Sequence, residues 1–258
     1  MNLTFNKNEF SWSKSRDDTF NKCPRMYYFK YYGSWGGWFD EADERIRKLY
    51  ILKQLQTRQM WAGQMVHNCI KKVLESIRDK GKSLSMQKAV DDTISIMRKG
   101  FKDSKRGHYW KKPKTCALFE HEYDLSVSDD EWKNTANHVA QCIKSFYNSE
   151  IYNYINQLSS EKWLTVEKLS DFLLNEIKVF VKLDFVFRKE NEIYLYDWKT
   201  GKPGADKNRL QFGCYSLYSV KNWNVNPKQV KLFEFYLSSG EQNEYNFSEH
   251  DLDSTTEY

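Results

Sequence analysis

Apolar residues in the first 160 positions recur every three or four residues, which is the spacing of an amphipathic helix. One stripe runs from Val66 through Ile70 to Ile77, and another runs from Val139 to Phe146. Besides the helix that carries Val66, this pattern predicts helices at about 15–32, 44–60, 85–100 and 130–148. We therefore expect the first part of the chain to be mostly helical.

Near residue 160 the pattern changes to short runs rich in β-branched and aromatic residues, which are typical of strands. Four strands are predicted, at 163–167, 177–187, 192–198 and 230–237. Between the third and fourth, Leu210, Cys214 and Leu217 keep helical spacing, so the order is β-β-β-α-β. This order predicts an α/β fold in which a small mixed β-sheet is flanked by helices. Residues 1–160 would form a mostly helical N-terminal region and residues 161–258 the α/β core, as one compact unit.

The composition is that of a packed globular protein. Aromatic residues make up 16% of the chain, and only 4 prolines and 11 glycines occur, which excludes a disordered chain. Lys and Arg number 40 against 35 Asp and Glu, so the charge of +5 is mildly basic. No window approaches 18 uninterrupted apolar residues, and the N-terminus has no apolar signal segment. We therefore expect a cytoplasmic protein with no membrane partner.

A basic stretch from Arg98 to Lys114 is interrupted by Gly100, Gly107 and Pro113. This composition predicts a connecting loop and not a helix or strand. Such a loop is either solvated only or neutralises the phosphates of a nucleic acid.

The segment from Lys178 to Gly201 predicts a hairpin with a two-residue loop at positions 190–191. Antiparallel partners then have numbers that sum to 381, which places Asp184 opposite Asp197 on one face of the sheet. Because side chains alternate along a strand, Lys199 joins this face, while Trp198 points to the other one.

Two buried carboxylates on facing strands repel each other unless a proton or a cation lies between them. A divalent metal relieves this repulsion, and Mg²⁺ is commonly held by one or two carboxylates together with water and phosphate oxygens. Lys199 would then orient or deprotonate a water, or stabilise charge on a phosphate. On these residues alone, a structural ion pair between Asp197 and Lys199 remains an alternative.

Several separated segments resemble, in the expected order, the RecB-like branch of the PD-(D/E)XK nuclease superfamily. They are Ser13–Ser15 with the Cys23–Pro24 helix, Gly63-x-x-x-His67, Val166–Glu167, Leu183–Asp184, Asp197-Trp198-Lys199 and Gln211-x-x-x-Tyr215. The resemblance covers residues 11 to about 220 and implies a restriction-endonuclease-like core. A satisfied core histidine at position 67 is the alternative to its role in this motif.

The resemblance implies a role for each matching residue. His67, Asp184, Asp197 and the backbone carbonyl of Trp198 would bind Mg²⁺ or Mn²⁺, and Lys199 would be the catalytic lysine. The residues that would support the site or contact DNA are Glu167, Gln211, Tyr215, Lys202 and Arg209, with Lys207 beside them. Related nucleases bind an iron–sulfur cluster through one early and three late cysteines. This chain has Cys23 but no cysteine after Cys214, so we expect no cluster.

The activity implied is metal-dependent hydrolysis of DNA phosphodiester bonds, as an exonuclease in DNA processing, repair or defence. A helicase or another subunit of a DNA-processing complex is a candidate partner. The alternative is a module of the same fold that binds nucleic acid or protein without catalysis. Loss of a ligand residue would favour that alternative, and none is missing from the sequence.

Overall fold

The computed structural model describes residues 8–204 and 208–257. Its α-helices are α1 (Lys14–Lys22), α2 (Pro24–Tyr28), α3 (Glu44–Leu52), α4 (Arg58–Lys80), α5 (Met86–Lys105), α6 (Phe119–Glu122), α7 (Asp129–Tyr147), α8 (Glu150–Gln157), α9 (Arg209–Trp223) and α10 (Glu249–Glu257). Its strands are β1 (Ser11–Trp12), β2 (Trp163–Leu174), β3 (Ile177–Lys189), β4 (Glu192–Lys199), β5 (Val230–Tyr236) and β6 (Gln242–Tyr245).

These strands form one mixed sheet in the order β1-β3-β4-β5-β6, and β2 also pairs with β3. Strand β3 is central because β2 runs antiparallel along it, β1 pairs parallel with its start and β4 pairs antiparallel with its end. Strands β4 and β5 are parallel and are connected through α9. The predicted order β-β-β-α-β and the α/β fold class are therefore confirmed, and the sheet gains the short strands β1 and β6.

The two faces of the sheet are buried against different helices. On one face, Phe185, Tyr196 and Trp198 pack in a core with residues of α4, α5, α7 and α8. On the other face, Leu183, Leu195 and Leu232 pack against α9 and α10. Both faces are covered, which explains why β3 and β4 bury apolar residues on both sides, such as Phe185 next to Val186 and Leu195 next to Tyr196.

Two predicted helices are interrupted in the structure. The helix expected at 15–32 breaks at Cys23, whose extended backbone ends α1 and begins α2. Pro24 causes this break, because proline disfavours helical backbone in the residue before it and is favoured at the first position of a helix. The helix expected at 44–60 ends at Leu52, and α4 begins afresh after Thr57, whose side chain accepts the Met60 N–H.

The prediction of a basic loop from Arg98 to Lys114 is wrong for its first half, because α5 continues to Lys105. Phe101 packs against the same core as Met97 of this helix, so the apolar stripe extends into the basic stretch. A Cβ on Gly100 would lie 3.3 Å from the Cys116 side chain, so this glycine allows close packing. The chain leaves the helix at Gly107, where φ is +66°. No helix among the described residues is long and apolar enough to cross a membrane.

Candidate active site

The β3–β4 hairpin has the predicted register. Phe185 pairs with Tyr196 and Lys189 with Glu192, and both pairs sum to 381. The two site aspartates lie one position beyond the last pair and are buried, with exposed fractions of 4% for Asp184 and 3% for Asp197. The backbone N–H of Trp198 donates to Asp184 Oδ2 at 2.8 Å, which fixes this carboxylate against the neighbouring strand.

Strand β2 adds Glu167 to the aspartates. The flanking pairs Val166–Phe185 and Lys168–Leu183 place Glu167 opposite Asp184, although Glu167 itself is not a ladder pair. Its φ of +45° lies in the left-handed region, which costs a residue other than glycine on the order of 1–3 kcal/mol. The side chain is nevertheless buried, and Glu167 Oε2 lies 2.7 Å from the ammonium of Lys182. Strained backbone that presents a buried carboxylate is typical of a functional site.

Helix α4 brings His67 to these carboxylates. Its Nδ1 lies 2.8 Å from Glu167 Oε1 and 3.5 Å from Asp184 Oδ1. Ile70 and Leu74 of the same helix are fully buried in the core. The His67 imidazole is not part of that core and contacts Glu167 and Asp184. A Cβ on Gly63, one turn earlier, would lie 3.2 Å from Thr200 Oγ1. The glycine thus lets α4 approach the end of β4 closely.

A second group of side chains surrounds Asp197. The ammonium of Lys199 lies 2.7 Å from Asp197 Oδ2, and the Tyr215 hydroxyl lies 3.2 Å from Asp197 Oδ1. The Gln211 amide donates to Asp197 Oδ1 at 3.4 Å, and its oxygen accepts from Lys199 at 3.5 Å. Gln211 and Tyr215 are one turn apart on α9, so this helix holds the carboxylate and the lysine together.

The cations of the site are held in their charged form. Burial alone lowers the pKa of His67, but the charge of Asp184 and hydrogen bonds to Asp184 and Glu167 outweigh it and raise the pKa to about 10. Burial also disfavours the charged Lys199, yet the Asp197 carboxylate raises the pKa of this lysine above its ordinary value. The described site therefore balances its acids with a protonated imidazole and a protonated amine.

The acids are correspondingly difficult to ionise together. Burial, followed by repulsion from Asp184, raises the pKa of Asp197 to about 6 despite the opposing effect of Lys199. Burial and the nearby Asp197 and Asp184 charges raise the pKa of the Tyr215 hydroxyl well above its ordinary value. Tyr215 is therefore a neutral hydrogen-bonding residue here and not a base.

The donor atoms of His67, Glu167 and Asp184 fit a divalent metal, since all lie within 4.8 Å of one another. The two carboxylates suit Mg²⁺ and Mn²⁺, and the imidazole is a softer donor that favours a transition metal over Mg²⁺. Asp197 is not one of these three grouped donors, and its side chain contacts Lys199, Gln211 and Tyr215. Glu167 thus appears as a candidate ligand where the sequence implied only a supporting residue.

A family model of the PD-(D/E)XK nuclease superfamily matches residues 11–258. The chain belongs to the PD-(D/E)XK nuclease superfamily. Membership implies a nuclease-type hydrolase that acts on nucleic acid, and it confirms the recognition made from the motifs at the level of the superfamily. No match to this chain was found among curated proteins.

The remaining residues implied by the superfamily motifs lie near the group of His67, Glu167 and Asp184 or near the group around Asp197. The Trp198 indole is buried in the core, as its strand position predicts. Lys202 is exposed and lines a cleft next to the end of β4. Arg209 begins α9, but its guanidinium pairs with Asp251 at 2.8 Å and stacks on Phe247, so it faces α10. Lys207 lies outside the described residues.

Two residues that lie near the candidate site, Lys182 and Glu234, were not identified from the sequence. Lys182 lies two positions before Asp184, so alternation along β3 would have placed it on the same face. Glu234 is buried at 1% exposure and pairs with Asp197 in the β4–β5 ladder. Its carboxylate accepts hydrogen bonds from Asn208 and from the Tyr245 hydroxyl, and its charge helps to raise the Lys199 pKa. A single Glu in the apolar run 230–236 was the available signal.

Proposed function

We propose that this chain is a divalent-metal-dependent deoxyribonuclease of the RecB-like branch, which hydrolyses phosphodiester bonds. The observation that carries the proposal is the convergence of a histidine, three carboxylates and a lysine from α4, β2, β3 and β4. Several acids buried together repel one another unless cations neutralise them, and in the described structure His67, Lys182 and Lys199 do so. A divalent metal would take over this role from the proton on His67. The exonuclease part of the proposal, and a role in DNA processing, repair or defence, rest on the RecB-like motifs of the sequence.

In this proposal His67, Glu167 and Asp184 hold Mg²⁺ or Mn²⁺, with Asp197 beside them and the Trp198 carbonyl as a further donor. The metal, when bound, supplies a Lewis acid for the phosphate and lowers the pKa of a coordinated water. Deprotonation of His67 accompanies its use as a ligand, because a metal binds the neutral imidazole. We propose that no iron–sulfur cluster is present, since Cys214 is buried and no later cysteine exists.

Lys199 acts as a cation in this proposal. Its pKa is raised by Asp197, so the amine is protonated at neutral pH and stabilises negative charge that develops on the phosphate. Gln211 and Tyr215 keep Asp197 and Lys199 in place through the contacts of 3.2–3.5 Å described above. Lys199 therefore serves first as an electrostatic stabiliser and not as the proton acceptor.

A cleft of about 890 Å³ adjoins the end of β4 and offers a path for the substrate. It is lined mostly by polar side chains, among them Arg58, Asn134, His138, Lys202 and Ser238. The His138 ring lies 2.9 Å from the Thr200 carbonyl, so the wall of the cleft is joined to the residue after Lys199. Cationic and amide groups are suited to a phosphate backbone, and we propose that DNA leaves or enters the site here.

The alternative is a non-catalytic module that binds nucleic acid or a protein partner. It predicts that one or more of the acids or the lysine is absent or turned away. Against it stand the contacts of His67 with Glu167 and Asp184, and of Lys199 with Asp197. A partner such as a helicase is consistent with nuclease activity. It would change which DNA reaches the site but not the reaction that takes place there.

The test is a cleavage assay on linear single-stranded DNA, linear duplex DNA and closed circular duplex, each with Mg²⁺, Mn²⁺ or a chelator. We expect cleavage of linear DNA with either metal, none with the chelator and none with Lys199→Ala. Degradation of linear DNA while circular DNA stays intact would support exonuclease activity. Cleavage of the circular DNA would show endonuclease activity instead. Binding of DNA without any cleavage would favour the non-catalytic module.

A further inference from the structure

A separate cavity of about 260 Å³ lies in the N-terminal segment and is walled largely by aromatic rings. We call it the aromatic pocket. Its lining residues are Phe10, Ser11, Trp12, Arg16, Asp17, Phe20, Tyr27 and Tyr32. Phe10 and Phe20 are 56% and 50% exposed, and both line this one cavity. Exposed apolar rings that are grouped at a cavity are informative, whereas single ones are common on a protein surface.

The deeper wall of the aromatic pocket is ordered by contacts among its own rings. Tyr27 packs edge-on against Phe20 with 5.4 Å between centroids, and it lies 5.8 Å from the Tyr32 ring. The Arg16 guanidinium donates to the Ser11 carbonyl at 3.0 Å and lies 4.6 Å above the Tyr31 ring. The pocket thus presents fixed aromatic surfaces beside a fixed cation, which limits the entropy lost when a flat ligand binds.

The aromatic pocket adjoins a second cavity that reaches the proposed active site. A neighbouring cavity of about 330 Å³ has Trp12–Ser15 among its lining residues, and also the site residues Lys182, Gln211 and Tyr215. Trp12 lines both cavities. Strand β1 fixes this connection, because Trp12 pairs with Val179 of β3. A strand that occupies this second cavity, beside Gln211 and Tyr215, would therefore lie next to the wall of the aromatic pocket.

We propose that the aromatic pocket binds an unpaired nucleobase of the strand that is cut, so that the enzyme selects a single-stranded segment next to its active site. This inference rests on the proposed nuclease function and specifies its substrate. Aromatic side chains stack on any base, and Arg16 is placed to neutralise a neighbouring phosphate. A base within a duplex is already stacked and paired, so it cannot enter without the cost of extrusion.

The first experiment compares DNA binding by two variants in a Lys199→Ala background that does not cut, with Mn²⁺ present. One variant carries Phe10→Ala and Phe20→Ala. The control carries Tyr123→Ala, which removes an aromatic ring of 50% exposure that does not line the pocket. The probes are a single-stranded oligonucleotide, its blunt duplex, and a single strand of the same length made of abasic sites.

We expect the Phe10 and Phe20 variant to bind the normal single strand roughly 5- to 150-fold more weakly than the control does. Affinity for the abasic strand and the blunt duplex should be the same for both proteins. Equal affinity of both proteins for the normal strand would overturn the inference. So would an equal loss on the abasic strand, because phosphate contacts alone would then explain the effect.

A second measurement needs no substitution in the pocket. A single strand that contains 2-aminopurine loses fluorescence when this base stacks on an aromatic ring, so mixing with the Lys199→Ala protein should quench it. Unchanged fluorescence at saturation would contradict the pocket. If the unsubstituted protein cuts DNA while either result fails, only the pocket is wrong. If it neither cuts nor binds any strand, the proposed function itself fails.

Discussion

The candidate site consists of two halves that are built differently. The metal half contains His67, Glu167 and Asp184, which come from α4, β2 and β3 and span 117 sequence positions from 67 to 184. The lysine half contains Asp197, Lys199, Gln211 and Tyr215, all from β4 and the following α9. The first half depends on long-range packing, whereas the second is encoded within one strand–helix unit.

The two halves also balance their charge differently. In the metal half two carboxylates face His67 and Lys182, and in the lysine half Lys199 contacts Asp197. The halves are nevertheless coupled, because the charge of Asp184 helps to raise the Asp197 pKa to about 6. A divalent ion in the metal half would therefore favour ionised Asp197 and strengthen its pairing with Lys199.

The largest expected effect separates chemistry from metal binding. Lys199→Ala should lower the rate of cleavage by a factor on the order of 10²–10³ or more, since it removes a preorganised positive charge from the transition state. Mn²⁺ affinity should change little, because Lys199 is no ligand. Single-turnover cleavage and calorimetric Mn²⁺ titration measure the two quantities. Lys228→Ala, which removes an exposed lysine in a turn, is the matched control. Normal turnover in Lys199→Ala would exclude the lysine from the mechanism.

His67→Ala is expected to act on the metal half. It should weaken Mn²⁺ binding by about 10–100-fold, taking the usual cost of perturbing a metal's coordination as the scale. The remaining carboxylates should retain some Mg²⁺ affinity, and the unsubstituted protein should prefer Mn²⁺ because imidazole is the softer donor. Calorimetric titration checks the affinity and thermal unfolding checks the fold. Unchanged affinity with a lower melting temperature would make His67 a structural residue.

The pH dependence of stability probes the charge balance of the metal half. The pKa of His67 is raised to about 10, above its ordinary value of 6.5. Its contribution to stability is therefore fully present below pH 6.5 and is lost as the pH rises through 10. We expect the metal-free protein to lose up to about 5 kcal/mol across this window, since each tenfold change in proton affinity corresponds to about 1.4 kcal/mol. His67→Gln should show a flatter profile in thermal or urea unfolding, and parallel profiles would refute the assignment.

The lysine half contributes in a lower pH range. The pKa of Asp197 is raised to about 6 from 3.8, so its contribution is fully present below pH 3.8 and is lost as the pH rises through 6.

The smallest expected effect concerns the contact between the halves. Gly63→Ala would place a Cβ 3.2 Å from Thr200 Oγ1, so the threonine must move slightly. Alanine favours the helix by about 0.5–1 kcal/mol, which offsets the crowding and leaves stability nearly unchanged. We expect cleavage to fall by no more than a few-fold, because the shifted Thr200 adjoins Lys199 at the end of β4. A large loss of stability would show that Thr200 cannot adjust.

The sequence predicted the lysine half better than the metal half for a physical reason. The register of the hairpin follows from its short turn, and Gln211 and Tyr215 follow from helical spacing. The contact between His67 and Glu167 requires the register of β2 and the positive φ of Glu167, neither of which the local pattern encodes. Glu234 reaches Asp197 only through the parallel β4–β5 pairing, which depends on the fold around α9.

The sequence contained two signals for the start of a helix, but the predicted helix bounds followed the spacing of apolar residues instead. Pro24 and Thr57 mark helix starts by known chemistry, although the apolar spacing favoured longer helices across them. The division into residues 1–160 and 161–258, and the assignment of each site residue to its role, stay predictions.

The most direct test of the central claim is a crystal structure of the protein grown with Mn²⁺, with the metal located by its anomalous scattering. We predict one strong peak bonded to the His67 imidazole and to the carboxylates of Glu167 and Asp184, with Asp197 close by and Lys199 outside the coordination shell. A peak remote from these side chains, or none at saturating Mn²⁺ while cleavage persists, would contradict the account.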